Sequence, residues 1–292
     1  MTRRLEGIFA PVITPFVAGT EAIDLEGFAA NLRAHVADGL AGIVLAGSSG
    51  EAPLLSEEER VELTETARDI VPRDRWLIVG CGGESTRQTV ARCKAAALAG
   101  ADAALVVAPH YYATSMNRDA LAAHYGRVAD ASPIPIILYN IPKYMHFALP
   151  PDLVMDLARH GNVIGLKDSS GDLASNKGFV AAQSDTFSFI TGSGSSFLGA
   201  LELGARGGIL AVSLFAAQLT KEVFAAHRAG DPARAAAAQA KLKPMADVIV
   251  AKLGVPGVKA AVSHVGRVGG VPRSPLLPLS DAQTSEIQAL LA

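Results

Sequence analysis

The sequence contains little of what several classes of protein require. It has two cysteines in 292 residues, Cys81 and Cys93, too few for a disulfide framework or a cysteine-rich zinc site. Its 26 basic and 28 acidic residues are scattered, unlike the basic surface of a nucleic-acid-binding protein. No uninterrupted apolar stretch reaches about 18 residues, the length typical of a membrane-spanning helix. The sequence therefore predicts a globular cytoplasmic protein without nucleic-acid or membrane partners.

What the sequence does contain is a regular alternation of apolar and amphipathic segments. Half of its residues are hydrophobic and 18% are charged, which is typical of a chain with a large core. The apolar segments predict strands over residues 7–16, 42–47, 76–81, 103–108, 135–140, 163–167, 187–191 and 208–212. Helical periodicity and capping residues predict helices over residues 24–39, 56–71, 85–99, 118–131, 151–160, 173–183, 196–203 and 215–229.

Eight strand–helix units predict an α/β fold in which a parallel sheet closes into a (β/α)8 TIM barrel. The alternative is an open doubly wound sheet, which usually has a glycine-rich dinucleotide-binding turn after its first strand. Residues 11–15 (Pro-Val-Ile-Thr-Pro) bear no similarity to such a turn. We assign residues 1–230 to the barrel and residues 231–292 to a C-terminal helical extension of the same domain. The extension has predicted helices over residues 232–253, 257–268 and 280–291.

A single lysine stands near the end of the sixth predicted strand. Lys167 follows the apolar residues 163–166 and precedes a turn-forming Ser-Ser-Gly-Asp sequence at residues 169–172. Burial disfavours the charged form of an ammonium group, and a neutral amine is the nucleophile that forms a Schiff base with a carbonyl substrate. The alternative is that Lys167 turns outward and pairs with Asp168 or Asp172, since most lysines are solvated or paired.

The carboxyl ends of the strands form the active face of a TIM barrel, so other residues there are candidates for a site. Tyr139 ends the strand next to that of Lys167, and a phenol can donate and accept the protons of imine formation. Ser48 can hydrogen-bond Tyr139, and the Gly47–Gly50 turn offers hydroxyls and N–H groups to a carboxylate. A packed tyrosine and an ordinary turn are the alternatives. No cluster of His, Asp and Glu has the spacing of a metal site, so no metal is expected.

Four segments, in order and at matching spacing, resemble the dihydrodipicolinate synthase / N-acetylneuraminate lyase family. They are residues 11–16 (Pro-Val-Ile-Thr-Pro-Phe), 47–51 (Gly-Ser-Ser-Gly-Glu), 139–142 (Tyr-Asn-Ile-Pro) and 165–172 (Gly-Leu-Lys-Asp-Ser-Ser-Gly-Asp). The resemblance extends over nearly the whole chain. It implies a (β/α)8 barrel with a C-terminal helical extension and class I chemistry, in which pyruvate or another 2-oxo acid forms an imine with a lysine and no cofactor is needed.

The resemblance also implies roles for individual residues. Lys167 would form the imine and Tyr139 would be the general acid and base. Ser48 would link Tyr139 to Tyr112, a tyrosine that family members commonly donate across a dimer interface. Ser48 and Ser49 would hold the substrate carboxylate, and Ile209 would make a backbone contact at the eighth strand. Apart from the resemblance, position at the predicted active face makes four more residues candidates for substrate contact: Gly50, Tyr144, His146 and Gly192. Family members are typically homotetramers, built as a dimer of dimers, and we expect the same assembly here.

Two departures from the synthase branch concern the second substrate. That branch usually has an arginine two residues after the proline of the Tyr-Asn-x-Pro motif, where this chain has Tyr144. Residues 145–146 are Met-His, where Thr-Gly is frequent. Residues 165–172, 254–259 and 269–276 instead look like the 4-hydroxy-2-oxoglutarate aldolase branch. We therefore expect a class I lyase that cleaves or forms a C–C bond in a 4-hydroxy-2-oxo acid, with pyruvate as product or donor.

Several other functions are compatible with the same residues. Two use the same imine: a dihydrodipicolinate synthase-type condensation, and the dehydration of a 2-oxo-3-deoxy sugar acid. A third is a non-catalytic protein that binds or senses a 2-oxo acid, although the presence of both Lys167 and Tyr139 argues against it. A fourth is a barrel enzyme in which residues 192–194 hold a phosphate group.

Overall fold

Each apolar segment predicted as a strand pairs in parallel with its neighbours in sequence, and the first pairs with the last. The structure is a computed structural model that describes residues 3–292. Pairing of Gly7 with Gly207 and of Phe9 with Ile209 closes the barrel. The strands are β1 (Gly7–Pro11), β2 (Gly42–Leu45), β3 (Trp76–Gly80), β4 (Ala103–Val107), β5 (Ile136–Asn140), β6 (Val163–Asp168), β7 (Ser188–Thr191) and β8 (Gly207–Ile209). The predicted (β/α)8 barrel is confirmed.

Helices surround the barrel and extend beyond its last strand. Those that lie between strands are α1 (Leu25–Ala37), α2 (Glu57–Ile70), α3 (Thr86–Leu98), α4 (Arg118–Ala131), α5 (Pro142–Met145), α6 (Pro151–Leu157), α7 (Leu173–Val180) and α8 (Phe197–Glu202). Those that follow β8 are α9 (Ala217–Arg228), α10 (Pro232–Met245), a π-helix (Ala246–Lys252), α11 (Gly254–His264) and α12 (Asp281–Leu291). Over residues 3–292, no helix combines the length and apolar character needed to cross a membrane.

The helix starts follow from the capping residues of the sequence. Asp24 accepts a hydrogen bond from the Gly27 N–H at 2.8 Å, which fixes the first turn of α1. Ser56 and Glu59 exchange side-chain to backbone hydrogen bonds and form the predicted capping box of α2. Every residue of β2, β3 and β5 is buried, since the barrel interior covers one face of each strand and the helices cover the other.

Two predicted elements differ most from the observed ones. The first strand ends at Pro11 rather than at residue 16, because Phe16 forms bridges with Ile23 and Val271 instead of with the sheet. The helix predicted over residues 232–253 is an α-helix only to Met245 and continues as a π-helix. Pro244 lies just before this change, and its missing N–H cannot complete the regular hydrogen-bond ladder of an α-helix.

A buried ion pair joins the turn after β2 to the C-terminal extension. The Glu51 carboxylate lies 2.5 Å from Lys259 Nζ, and both side chains are almost fully buried. Lys259 also donates to the Val271 carbonyl at 2.6 Å, and Glu51 accepts from the Arg273 N–H at 2.8 Å. The pKa of Lys259 lies below its ordinary value, because burial, which lowers it, outweighs the attraction of Glu51. This pair anchors the Gly47–Glu51 turn to α11.

Replacing Lys259 with methionine is expected to destabilise the fold by about 3–5 kcal/mol, because the substitution leaves the Glu51 carboxylate buried and unpaired. Urea-induced unfolding measures this loss. The control is Lys252→Met, which removes an exposed ion pair with Glu286. Exposed pairs contribute at most about 1 kcal/mol. Equal losses of stability in the two variants would contradict the importance of the buried pair.

Candidate active site

Lys167 and Tyr139 face each other at the carboxyl ends of two neighbouring strands. The pairing of β5 with β6 places the two residues directly opposite one another. Lys167 Nζ lies 4.3 Å from the centre of the Tyr139 ring. The two residues are only 5% and 4% exposed, yet both line a cavity at this end of the barrel. An amine and a phenol therefore meet at the face where barrel enzymes carry out their chemistry.

The carboxylates near Lys167 in sequence have other partners. Asp168 accepts hydrogen bonds from Asn140 Nδ2 and from Ser170 Oγ, both at 2.6 Å. Burial raises the pKa of Asp168 above its ordinary value, although these two hydrogen bonds oppose the shift. Asp172 accepts from the Ala174 N–H at 2.9 Å and caps α7. The alternative in which Lys167 turns outward to pair with either carboxylate is therefore wrong.

Ser48 extends the pair into a chain of three polar groups. Its Oγ lies 3.2 Å from the Tyr139 hydroxyl, and either atom can donate the hydrogen bond. The position of Ser48 depends on Ala46, which turns the chain sharply after β2 with a φ of +46°. Gly80 on β3 makes room for this turn, since a Cβ there would lie 1.9 Å from the Ala46 carbonyl oxygen. The predicted hydrogen bond between Ser48 and Tyr139 is present.

The turn after β2 contains backbone N–H groups that are available to a ligand. Within it, the Gly50 N–H donates to the Gly47 carbonyl at 3.0 Å and the Glu51 N–H donates to the Ser48 carbonyl at 3.2 Å. The N–H groups of Ser48 and Ser49 have no acceptor within residues 3–292. Two free N–H groups and two hydroxyls next to the cavity form a site with the hydrogen-bonding capacity that a carboxylate requires.

Most of the predicted site residues line one cavity of 160 Å³. They are Ser48, Ser49, Tyr139, Tyr144, Lys167, Gly192 and Ile209. Three others lie outside it. Gly50 is buried, and its carbonyl accepts a hydrogen bond from Thr14 Oγ1 at 2.9 Å. His146 is exposed and ends α5 with a φ of +63°. Tyr112 is 69% exposed, with its ring centre 5.0 Å from that of Tyr111.

The cavity is also lined by residues for which no role was predicted from the sequence. Lys143, Ser169 and Ser195 add polar atoms to its wall. The C-terminal extension supplies a mainly apolar side, composed of Ala246, Val250, Ala251, Gly254, Val255 and Val258. Ser169 had a signal, since it lies two residues after Lys167 in a recognised motif. Gly254, Val255 and Val258 fall in the segment 254–259 that resembles a family branch, but nothing local placed the extension at the cavity, because its position depends on how a distant helix packs over the barrel.

A second cavity, of 560 Å³, lies on the other side of Ser48 and Tyr139. The residues that line both cavities, and so form the wall between them, are Ser48, Tyr139, Ile141, Lys143, Tyr144, Gly254 and Val255. The rest of the second cavity's lining is largely apolar and includes Leu54, Leu105, Val107, Leu253 and Leu276. The hydroxyls of Ser48 and Tyr139 can therefore be approached from two directions.

Replacing Gly192 with alanine is expected to reduce turnover by roughly 100-fold, a loss that misplacement of reacting groups by about 1 Å can cause. A Cβ at this position would lie 2.0 Å from Ser169 Oγ and 2.8 Å from Lys167 Cε, so the lysine must shift. Steady-state kinetics measure the loss, and circular dichroism checks the fold. Gly161→Ala is a matched control, because a Cβ there meets nothing within 4 Å. Wild-type activity in Gly192→Ala would contradict this geometry.

Comparisons with known proteins agree over almost the full length of the chain. The model of the dihydrodipicolinate synthetase family matches residues 4–292. A 4-hydroxy-tetrahydrodipicolinate synthase from Methanoculleus marisnigri is 34% identical over 288 residues, covering 98% of each chain. The dihydrodipicolinate synthase DapA-2 from Bacillus anthracis superposes with a TM-score of 0.93 at 27% identity, covering 98% of this chain and 97% of that one. YagE from E. coli K12, a prophage protein solved in complex with pyruvate, gives a TM-score of 0.92 at 30% identity, with 98% and 97% covered.

Proposed function

Because this chain belongs to the dihydrodipicolinate synthetase family, whose members are pyruvate-dependent lyases and synthases, we propose that it joins pyruvate to an aldehyde through an imine on Lys167. The chain is accordingly an enzyme of the class I aldolase type, and a non-catalytic binding protein is no longer a competing function. The observation that carries the proposal is the placement of Lys167 opposite Tyr139 in one cavity, beside a turn with two free N–H groups.

The reaction begins when the neutral amine of Lys167 attacks the C2 carbonyl carbon of pyruvate. The carbinolamine that forms loses its hydroxyl as water, which leaves an imine between Nζ and C2. The N–H groups and hydroxyls of Ser48 and Ser49 hold the pyruvate carboxylate. The Tyr139 phenolate that remains after dehydration takes a proton from C3 and converts the imine to an enamine, whose C3 attacks the aldehyde carbon. Hydrolysis of the resulting imine releases a 4-hydroxy-2-oxo acid and restores Lys167.

We assign proton transfer to the Tyr139 hydroxyl. It protonates the departing carbinolamine hydroxyl, and it protonates the alkoxide that forms when the C–C bond is made. Ser48 Oγ is 3.2 Å from this hydroxyl and can relay a proton to it, so that Tyr139 returns to its starting state. No metal or organic cofactor takes part in this sequence, because the imine itself serves as the electron sink.

The proposal also specifies the direction of the reaction, condensation or cleavage. The sequence led us to expect a lyase that cleaves a 4-hydroxy-2-oxo acid, but the relatives do not specifically support that branch. Their names, 4-hydroxy-tetrahydrodipicolinate synthase, favour condensation. The two readings share one step, since a 4-hydroxy-2-oxo acid is the product of the addition and the substrate of the cleavage. We therefore propose condensation as the main activity and cleavage as its reverse.

The turn after β7, which the phosphate-binding alternative requires, uses most of its N–H groups within the protein. The Gly192 N–H donates to the Asp168 carbonyl at 2.5 Å, and the Ser193 N–H donates to Thr191 Oγ1 at 3.2 Å. Of the three N–H groups of residues 192–194, only that of Gly194 has no acceptor among the described residues, so the turn offers fewer donors to a phosphate group than the turn after β2 offers to a carboxylate. A 2-oxo acid held at the turn after β2 fits the available donors better.

We extend the proposal to a cytoplasmic homotetramer in which Tyr112 completes the site of a second copy. Tyr112 is exposed and outside the cavity of its own chain. The apolar second cavity opens next to Ser48 and has space for an aromatic ring from a partner. Sedimentation velocity with the wild type and Tyr112→Ala tests the assembly.

Product analysis tests the proposed reaction. The enzyme is incubated with pyruvate and a set of short aldehydes, and mass spectrometry identifies the products. Condensation gives a 4-hydroxy-2-oxo acid or its cyclised form, and the purified acid returns pyruvate and aldehyde. A dehydratase would instead convert a 2-oxo-3-deoxy sugar acid to a product smaller by one water. Failure to join or release pyruvate with every compound would overturn the proposal.

A further inference from the structure

We propose that Glu51 and Lys259 are positioning residues for the pyruvate carboxylate, because their buried ion pair holds the turn after β2 in the shape that leaves the Ser48 and Ser49 N–H groups available to a ligand. This inference rests on the proposed function, in which that turn binds the carboxylate. Neither Glu51 nor Lys259 lines the cavity that contains Lys167, so both act through the turn and not by contact with pyruvate.

The backbone of this turn is strained at both of its ends. Ala46, just before the turn, and Glu51, its last residue, have φ values of +46° and +56°, in the left-handed region that favours glycine. A residue with a side chain stays in such a conformation only where the surrounding structure holds it there. The contacts of the Glu51 side chain therefore indicate what fixes the shape of the turn.

The C-terminal extension holds the Glu51 carboxylate at both oxygens. Oε1 lies 2.5 Å from Lys259 Nζ, and Oε2 accepts from the Arg273 N–H at 2.8 Å. Lys259 Nζ also donates to the Val271 carbonyl at 2.6 Å, which fixes the ammonium group in its place. The Glu51 side chain has no exposed surface, so water cannot replace these partners. The shape of the turn thus depends on groups from the other end of the chain.

The charges around the ion pair are balanced within the protein. The Phe16 ring lies between two cations, with its centre 4.4 Å from Lys259 Nζ and 4.0 Å from Arg273 Cζ. Arg273 pairs with Glu59 at 2.6 Å, as Lys259 pairs with Glu51. Lys259 is 1% exposed and lines neither of the two cavities. Its charge is therefore directed at Glu51 and not at a substrate.

A short path connects Glu51 to the N–H groups of the turn. The Glu51 N–H donates to the Ser48 carbonyl at 3.2 Å, so a shift of Glu51 moves the peptide group between Ser48 and Ser49. Hydrogen bonds weaken steeply as the donor turns away from its acceptor. Release of the Glu51 side chain should therefore weaken binding of the pyruvate carboxylate, while the amine of Lys167 can still attack the carbonyl carbon.

Pyruvate and methyl pyruvate provide the test, because the ester keeps the reacting ketone and has no carboxylate. Cyanoborohydride traps the imine on Lys167, and each trapping rate at low concentration is divided by the rate with free Nα-acetyllysine. The ratio of the two values is the preference for pyruvate. We expect Glu51→Gln to lower this preference by roughly 10-fold, the effect of losing one hydrogen bond to a charged group. Lys259→Arg, which keeps the charge, should retain most of the preference.

Two further variants separate positioning from a general loss of stability. The double variant Glu51→Gln/Lys259→Met leaves no unpaired charge buried, so we expect it to fold and to lose the preference as Glu51→Gln does. Asp38→Asn is the control, because it weakens a contact between the extension and α1, the ion pair of Arg267 with Asp38, away from the turn. Its preference for pyruvate should equal that of the wild type. Urea-induced unfolding measures the stability of every variant.

Three results would overturn this inference. They are a wild-type preference in the folded double variant, a wild type that has no preference for pyruvate, and equal losses of trapping for both compounds, which would show a purely structural role. In each case an adduct of pyruvate on Lys167 would leave the proposed function intact. If the wild type forms no adduct with pyruvate, the proposed function itself fails.

Discussion

Replacing Lys167 with methionine is expected to lower turnover by about 10⁴-fold or more, the order of loss seen when a covalent nucleophile is removed. Methionine keeps an unbranched side chain of similar length but has no amine, so no imine can form. The substitution removes a buried amine that lies opposite Tyr139 and leaves Asp168 with its hydrogen bonds from Asn140 and Ser170. We therefore expect the fold to be retained. The measurement is the initial rate of pyruvate consumption with the best aldehyde.

The matched control for this variant is Lys177→Met. Lys177 lies in α7, the helix that follows β6, and is exposed outside the cavity. Its replacement should leave turnover within about 2-fold of the wild type, since exposed charges away from the site contribute little. Retention of more than a few per cent of wild-type turnover by a folded Lys167→Met variant would contradict covalent catalysis by this residue.

Replacing Tyr139 with phenylalanine is expected to reduce kcat by about 10²–10⁴-fold, the contribution of a positioned general acid and base. Phenylalanine keeps the ring that packs 4.3 Å from Lys167 Nζ and removes only the hydroxyl that contacts Ser48. Pyruvate should still form an adduct on Lys167, but more slowly. The pH dependence of kcat should also change, and a purely structural role of Tyr139 would not produce that result.

Tyr125→Phe is the control for Tyr139→Phe. It shows what the loss of a buried hydroxyl outside the cavity does by itself. Tyr125 lies in α4, is fully buried, and its hydroxyl faces the Val106 carbonyl at 3.4 Å, outside the cavity. Burial raises the pKa of Tyr125 far above its ordinary value, so this hydroxyl stays protonated at any working pH. The variant should lose about 1 kcal/mol of stability and no activity. Equal kinetic effects of the two substitutions would remove Tyr139 from the mechanism.

Much of the fold could be predicted because its signals are local. Alternating apolar and amphipathic segments identify the units of the barrel, and Asp24 and Ser56 mark helix starts through contacts within a few residues. The end of the first strand could not be predicted in this way. Phe16 leaves the sheet because it pairs with Val271, near the other end of the chain. The π-helix likewise depends on how the extension packs, although Pro244 gave a local hint.

The same distinction between local signals and the packing of distant segments applies to the candidate active site. Lys167, Tyr139 and Ser48 were predicted together because parallel strands of a barrel present their carboxyl ends at one face. The outer wall was not predicted, because residues such as Val250 and Val255 reach the cavity only after the extension docks through Lys259 and Glu51. Tyr112 illustrates another limit, because the role proposed for it in a second copy cannot be tested by the geometry of one chain.

The most direct test of imine formation on Lys167 is borohydride reduction in the presence of pyruvate, followed by mass spectrometry of the intact chain and its peptides. We expect one reduced pyruvate adduct per chain, located on Lys167, and no adduct in Lys167→Met. An adduct on another lysine, or none with pyruvate or any other 2-oxo acid, would contradict it.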